Sequence, residues 1–278
     1  MRIRGFAPAT PCWVELASVE PAHAAEFYAG LFGWEPAGDR FKLDGRAVAG
    51  LTRAWADRPA GWLSYLAEDD LEAAIARVAA AGGRCLRAPA EGHGGRSAII
   101  ADPAGATLGL WQRAGFSGAQ VAGEPGTMTW PELLTDDPGA AIDFYGRAFG
   151  WLLRDEAGSG GTRGEWLTSA HDAMAGLAPG DAMAGLAPGG DVAGLAPGGD
   201  AARWRSAFQV ANCAQAAGRC LRLGGELVVG PIAMGFGSYA ELVDPWGLRF
   251  AVAAPATMPA ELSLSFSPGT GMELTFPG

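Results

Sequence analysis

Positive charge, histidine and cysteine are all scarce in this chain, and each scarcity removes a class of function. Lys and Arg total 20 against 30 Asp and Glu, a formal net charge of -10. An acidic chain carries no electrostatic footprint for a phosphate backbone, so nucleic acid is not an expected partner. No apolar run reaches the roughly 18 residues of a membrane span. The opening "MRIRGFAPATPCW" lacks the apolar h-region of a secretory signal. A cytoplasmic chain with no membrane partner is expected. The four cysteines, Cys12, Cys85, Cys213 and Cys220, form no CxxC and no zinc spacing, which reads as reduced thiols. Of the three histidines, His23 stands at a helix start, His93 in the Gly-rich "EGHGG", and His171 beside a repeat. A facial metal triad needs two histidines and a carboxylate converging on open positions. No resident metal or other cofactor is expected. Nor is there a GxSxG elbow, or a Gly-rich loop in a strand-to-helix context.

What is abundant is repetition. "WVELASVEPAHAAEFYAGLFGWEP" begins at Trp13 and "WPELLTDDPGAAIDFYGRAFGWLL" at Trp130. "ADPAGATLGLW" at 101–111 answers "VDPWGLRFAVA" at 243–253. The chain therefore says everything twice: a first domain over 1–113, a linker over 114–126, and a second domain over 127–255 with an insertion at about 172–200. A tail over 256–278 follows, and alternation around its Pro-Gly turn suggests a hairpin that caps a sheet edge or a partner chain, a homodimer being one form of that.

Within each half the order is strand, helix, then strands, given twice. Cys12–Ser18 alternates as a strand, and Pro21 suits the first turn of the helix that Gly33 ends. "RFKLD" and "RAVAGLTRAW" read as strands joined at Asp44-Gly45, followed by "GWLSYLAE". A second helix then takes Asp69 or Asp70 as N-cap and Gly82-Gly83 as stop. Asp102 and Asp244, in Asp-Pro-x-Gly turns, read as turn chemistry. Phe27, Tyr28, Phe144 and Tyr145 read as packing helix on sheet, and Trp34 and Trp151 as packing residues.

The strand-then-"FYxxLFGW" opening, the "AAGG" helix end and the "DPxG" hairpin resemble the vicinal oxygen chelate superfamily of glyoxalases, bleomycin-resistance proteins and extradiol dioxygenases. The doubled form looks closest to the tandem glyoxalase-like proteins of actinobacteria. The resemblance implies an α+β fold: two tandem glyoxalase-like domains, each of two βαβββ modules forming a half-open barrel with a ligand cup. In enzymatic members a divalent metal sits in the cup, held by His or Glu on the first and last strands of the modules. Those positions fall here on Trp13, Gly50, Leu63 (or Trp62) and Gly109, and on Trp130, Arg205 and Ala251. None is a metal ligand.

By strand alternation Trp13 and Glu15 share one face, as do Trp130 and Glu132, and the resemblance, whose ligand position faces the cup, implies that this is the cup face. A carboxylate among indoles would have a raised pKa and could act as general acid or base, which marks Glu15 and Glu132 as catalytic candidates; equally, each could satisfy neighbouring backbone or Arg groups. Trp13, Trp130, Tyr65 and Trp111 are the ligand-binding candidates, since large aromatics at a cup either line a ligand site or plug it. The leading expectation is a metal-free protein binding a small apolar or aromatic metabolite or drug, by sequestration or as an accessory to biosynthesis. Its rivals are a metal-independent isomerase, lyase or hydroxylase using Glu15 or Glu132, a metal-dependent glyoxalase or dioxygenase, and a structural protein with filled cups.

The insertion reads "DAMAGLAPGDAMAGLAPGGDVAGLAPGGD", one phrase three times over 172–200. It aligns with "RAVAGLTRA", so one copy belongs in the sheet. The other two are expected in a loop turning at Asp181, Asp191 or Asp200. Which copy pairs is open.

Overall fold

Residues 5–56, 58–155, 164–167, 184–188, 202–234 and 237–255 are described by the computed structural model. The tail, the expected loop turns and His171 lie outside them. In the first repeat, β1 (Pro11–Ser18) leads into α1 (Pro21–Phe32), then β2 (Glu35–Ala37), β3 (Arg40–Leu43) and β4 (Arg46–Arg53). The second module is β5 (Gly61–Ala67), α2 (Leu71–Ala80), β6 (Arg84–Gly92), β7 (Gly95–Ala101) and β8 (Thr107–Arg113). The second repeat follows the same order: β9 (Met128–Thr135), α3 (Pro138–Phe149), β10 (Leu152–Asp155), β11 (Gly164–Leu167) and β12 (Ala184–Pro188). It closes with β13 (Arg203–Gln209), α4 (Cys213–Arg222), β14 (Glu226–Met234), β15 (Gly237–Val243) and β16 (Arg249–Pro255).

Helix ends follow their local chemistry. Pro21 and Pro138 open α1 and α3. Asp70, Asp137 and Asn212 each accept a backbone N–H as N-caps. Gly33 and Gly150 end α1 and α3 at φ of 74 and 71°, a left-handed turn that a Cβ would penalise.

Each repeat makes one 8-stranded sheet, in the order β2-β3-β4-β1-β5-β8-β7-β6 and its counterpart. The two modules meet where β1 runs antiparallel to β5, with Glu15 opposite Leu63 and Trp13 opposite Tyr65. Leu63 therefore holds the cup position, while Trp62 packs on the opposite, helix-bearing face. Gly50 lies opposite Glu15 across the parallel β1–β4 pair. In the second sheet Gly185 lies opposite Glu132 in the same way. The middle copy of the triple phrase thus supplies β12.

The helix-bearing faces of the two sheets pack together, and both large cores draw on both repeats. One joins Val14, Tyr28 and Leu31 to Phe208, Cys220 and Phe250; the other joins Leu66, Val78 and Leu110 to Phe144, Trp151 and Trp204. At the centre, Ser64 and Ser206 hydroxyls meet at 3.0 Å. On either side a hydrogen-bonded chain crosses between repeats. Trp62 donates to Tyr28 (3.0 Å), which donates to Asp244 of the other repeat (2.9 Å). Trp204 donates to Tyr145 (2.7 Å), which donates to Asp102 (3.0 Å). The FY tyrosines and DPxG aspartates are therefore partners across the repeat interface, beyond their packing and turn roles. Each Asp also accepts backbone N–H bonds within its own turn, from Ala106 to Asp102 and from Trp246 and Leu248 to Asp244.

Glu68, at the end of β5, receives Arg77 of α2 at 2.9 Å, and Arg77 donates in turn to the Ala148 carbonyl of α3. Its other oxygen, Oε1, is buried without a hydrogen bond. Burial raises the Glu68 pKa above the ordinary carboxylate value, and Arg77 offsets only part of that rise. A carboxyl with a raised folded pKa binds its proton more tightly in the native state, so its contribution to stability is lost as pH rises through that value. Glu68→Gln should therefore gain on the wild type as pH is raised from 4 to 7. Urea denaturation at several pH values checks this, and a Glu68→Gln stability that falls relative to the wild type as pH rises would contradict it.

Candidate functional site

The concave faces of the two sheets form two cups of different content. In the first, Trp13, Leu63, Tyr65, Ile99 and Trp111 are buried together with Phe116 from the segment after β8. The Trp13 and Phe116 rings meet edge to face at 4.9 Å. Phe116 is pinned by its carbonyl, which accepts Trp111 Nε1–H (3.0 Å), and by its N–H, donated to Gly94 (2.9 Å). The Arg40 guanidinium lies 3.9 Å from the Phe116 ring centroid and donates to the His93 carbonyl at 2.6 Å. The His93 ring bonds Asp39. The tips of the β2–β3 and β6–β7 hairpins are thereby tied together over the cup. Residues 114–126 do more than link: Ala119 and Gln120 donate to the Cys12 and Ala47 carbonyls, holding the segment along the sheet.

Below this plug, Glu15 accepts Tyr65 Oη–H at 3.2 Å and lies 3.7 Å from Arg58, which comes from the β4–β5 connection. Burial first, and then the Glu15 carboxylate, hold the Tyr65 phenol well above its ordinary pKa, so it serves as the donor of that pair. The Tyr65 ring lies over Gly109: a Cβ there would fall 2.1 Å from Tyr65 Cδ1. A Cβ at Gly50 would fall 3.0 Å from Glu15 Cγ and 3.1 Å from Trp13 Nε1. Gly109 is required by the ring stacked on it, and at Gly50 a Cβ would press tightly on Glu15 and Trp13. Gly109→Ala should cost about 1–3 kcal/mol by overpacking, read by urea denaturation; an unchanged midpoint would show that Tyr65 can move aside.

The offset of 142 that joins Ser64 to Ser206 maps the first cup onto the second. Tyr65 becomes Ala207, Trp111 becomes Ala253, Leu63 becomes Arg205 and Ile99 becomes Glu241. Two large rings are thus replaced by methyl groups, and two apolar side chains by charges. Trp130 is only partly buried, whereas Trp13 is 3 % exposed. Around Trp130 lie Val228, Ile232 and Met234 of β14, with Ala207, Tyr239 and Ala251.

The polar floor of this second cup is an ion-pair chain. Arg205 donates to Glu132 Oε2 through Nε (3.2 Å) and Nη2 (2.5 Å), and to Glu241 Oε2 through Nη1 (2.6 Å). Arg249 reaches Glu241 Oε1 at 3.2 Å. Burial opposes the charge on Arg205, but the carboxylates of Glu132 and Glu241 outweigh it and raise its pKa further. Tyr239 donates to Glu132 Oε2 at 3.5 Å, and burial, then the same carboxylate, keep it a phenol. Every described hydrogen bond of Glu132 falls on Oε2. Both Glu15 and Glu132, expected among indoles, thus also face a guanidinium and a phenol.

Comparison with known proteins settles the lineage. Residues 13–110 match the model of a glyoxalase-like domain, and 127–252 match that of the glyoxalase/bleomycin resistance protein/dioxygenase superfamily. The anthracycline biosynthesis protein DnrV of Streptomyces peucetius is 35% identical over 272 residues, covering 89% of this chain and 94% of DnrV. The chain belongs to the glyoxalase/bleomycin resistance protein/dioxygenase superfamily. DauV of Streptomyces sp. (strain C5), also named an anthracycline biosynthesis protein, is 34% identical over 89% of this chain and 94% of its own length. Among solved structures, an Mn(II)-bound glyoxalase of Novosphingobium aromaticivorans superposes with a TM-score of 0.62 at 18% identity, over 90% of this chain and 83% of that one. BphC, a halotolerant catechol dioxygenase, gives 0.59 at 16%, over 92% and 89%. These likenesses establish the superfamily fold, with tandem domains.

Among the described residues the positions matching the superfamily's metal ligands carry no donor set. Indole, guanidinium and methyl groups stand at Trp130, Arg205 and Ala251, and in the first cup the Tyr65 ring lies over Gly109. Among the described residues no three of His, Cys, Asp and Glu are grouped to hold an ion. His23 bonds Glu20 at the start of α1, far in sequence from the His93 hairpin. No helix among the described residues is long and apolar enough to cross a membrane.

Sequence reasoning missed Phe116, Tyr239 and Glu241, and passed over Arg205 as a non-ligand. Signals existed. Phe116 is the one aromatic residue in "AGFSGAQVAGEPG", and Tyr239 and Glu241 alternate within the strand "GSYAELV".

Proposed function

We propose that the second cup binds a planar, hydroxylated aromatic metabolite and that the protein serves as an accessory in its biosynthesis, by holding or carrying it. The observation that carries this reading is the exchange of Tyr65 and Trp111 for Ala207 and Ala253 at matching positions. It removes about two aromatic side chains' worth of contact surface beside a partly buried indole. Trp130 lines the cup beside this space, and Glu132 supplies a carboxylate to accept a phenolic hydroxyl. The names of DnrV and DauV point to the chemistry of polycyclic aromatics. In this reading the first cup is a structural element, plugged by Phe116. Neither step calls for a metal.

The test is a fluorescence titration with hydroxylated anthraquinones and their unsubstituted parent. Quenching should saturate for the hydroxylated compounds and disappear in Trp130→Phe while persisting in Trp13→Phe. Indifference to the whole panel, or loss of quenching in Trp13→Phe instead, would refute the reading. The position of Glu132 also supports a second one, in which its carboxylate takes a proton from a bound substrate. Glu132→Gln separates the two: a binder keeps its ligand with modest loss, whereas an acid–base enzyme binds but no longer turns over.

A further inference from the structure

Glu132 of β9 and Glu241 of β15 are brought to one point by Arg205 of β13. The guanidinium lies 2.5 Å from one carboxylate and 2.6 Å from the other. The Arg205 and Glu241 side chains are 1 % and 0 % exposed, and Glu132 is 17 % exposed. The arrangement is built by the sheet: Glu132 is the cross-strand partner of Arg205, and Glu241 that of Ala251. It is not a demand of the fold, because the first repeat carries Leu63 and Ile99 at the positions of Arg205 and Glu241. Burying such a cluster is costly unless each charge is matched. Here the matching is complete, with Arg249 on the second oxygen of Glu241.

We propose that Arg205 is the resident cation of the second cup: two carboxylates able to hold a divalent ion are held by a guanidinium, so the cup is a cation site filled by the chain itself. Such a cup is closed to metal ions. A guanidinium carries five N–H donors, of which three are used on Glu132 and Glu241. The two others, one on each terminal nitrogen, have no acceptor among the described residues. The assignment does not rest on the ligand-binding reading above, and it is tested without a ligand.

The experiment is equilibrium dialysis against Mn²⁺, with thermal melting, on the wild type, Arg205→Ala and Arg205→His. The wild type should take up no stoichiometric Mn²⁺, and its Tm should not respond to the ion. Arg205→Ala leaves two carboxylates facing each other, so its Tm should fall by on the order of 10 °C. Added Mn²⁺ should bind at one per chain and restore part of that loss by mass action. Arg205→His should do the same, with imidazole as a further donor. Uptake should vanish when Glu132→Gln or Glu241→Gln is added. Wild-type uptake that Glu132→Gln abolishes would overturn the proposal. So would folded Arg205 variants that bind no Mn²⁺, or variants that stay unfolded with the ion present.

Discussion

Carrying the first cup's filling into the second, as Ala207→Tyr with Ala251→Gly and Ala253→Trp, should lower the affinity for a hydroxylated anthraquinone at least about 100-fold, a loss of roughly 2.7 kcal/mol. The three changes belong together. In the first cup Tyr65 lies flat over its cross-strand neighbour only because that neighbour is Gly109. In the second cup Ala207 faces Ala251 in the same register. A tyrosine at 207 without the glycine would collide with the Ala251 methyl and lose stability by overpacking. With the glycine, its ring can take the place proposed for the ligand. Far-UV circular dichroism and a Tm within a few degrees of wild type establish that the variant is folded. Isothermal titration then gives the affinity. Unchanged binding in a folded variant would mean that the ligand site is elsewhere.

The α+β architecture could be read in advance because its punctuation is local. Proline at a first helical turn, glycine at a left-handed stop and an Asp-Pro-x-Gly turn each fix backbone geometry within a few residues. The edge strands β6 and β14 gave no such signal. They face solvent over much of their length, and Pro89 and Gly230-Pro231 interrupt them, so no unbroken strand pattern marks them. Period-two alternation placed Trp13 with Glu15 and Trp130 with Glu132, and the family resemblance said which of the two faces is the cup. What fills each cup did not follow, because it depends on partners far apart in sequence. Arg205 looks like a misplaced charge until Glu132 and Glu241 are brought beside it. Phe116 looks like a linker residue until the hairpin tips at Arg40 and His93 close over it. The same holds for Tyr28 and Asp244, 216 residues apart, whose pairing only the packed repeats disclose.

That pairing leads to the second large effect: neither repeat should fold as a monomer when expressed alone. Residues 1–126 contain every strand of the first sheet and the segment that plugs its cup, so by sequence they look self-sufficient. Their helix-bearing face is not. Tyr28, Leu31 and Leu66 are almost fully buried in cores whose other side comes from the second repeat, including Phe208, Phe250 and Phe144. Exposing a buried side chain of this size costs about 1.5–3 kcal/mol. A handful of them exhausts the roughly 5–15 kcal/mol by which a domain is stable. Tyr28 would also lose Asp244, and Asp102 would lose Tyr145. The isolated repeat has one remedy. Because Asp102 matches Asp244 and α2 matches α4, a second copy of the first repeat can present the same surface that the second repeat presents in the full chain. Sedimentation equilibrium on residues 1–126 should therefore find either dimer or aggregate, with Tyr28→Phe and Asp102→Ala each weakening the dimer. A folded monomer with a cooperative unfolding transition would show that the shared cores are dispensable.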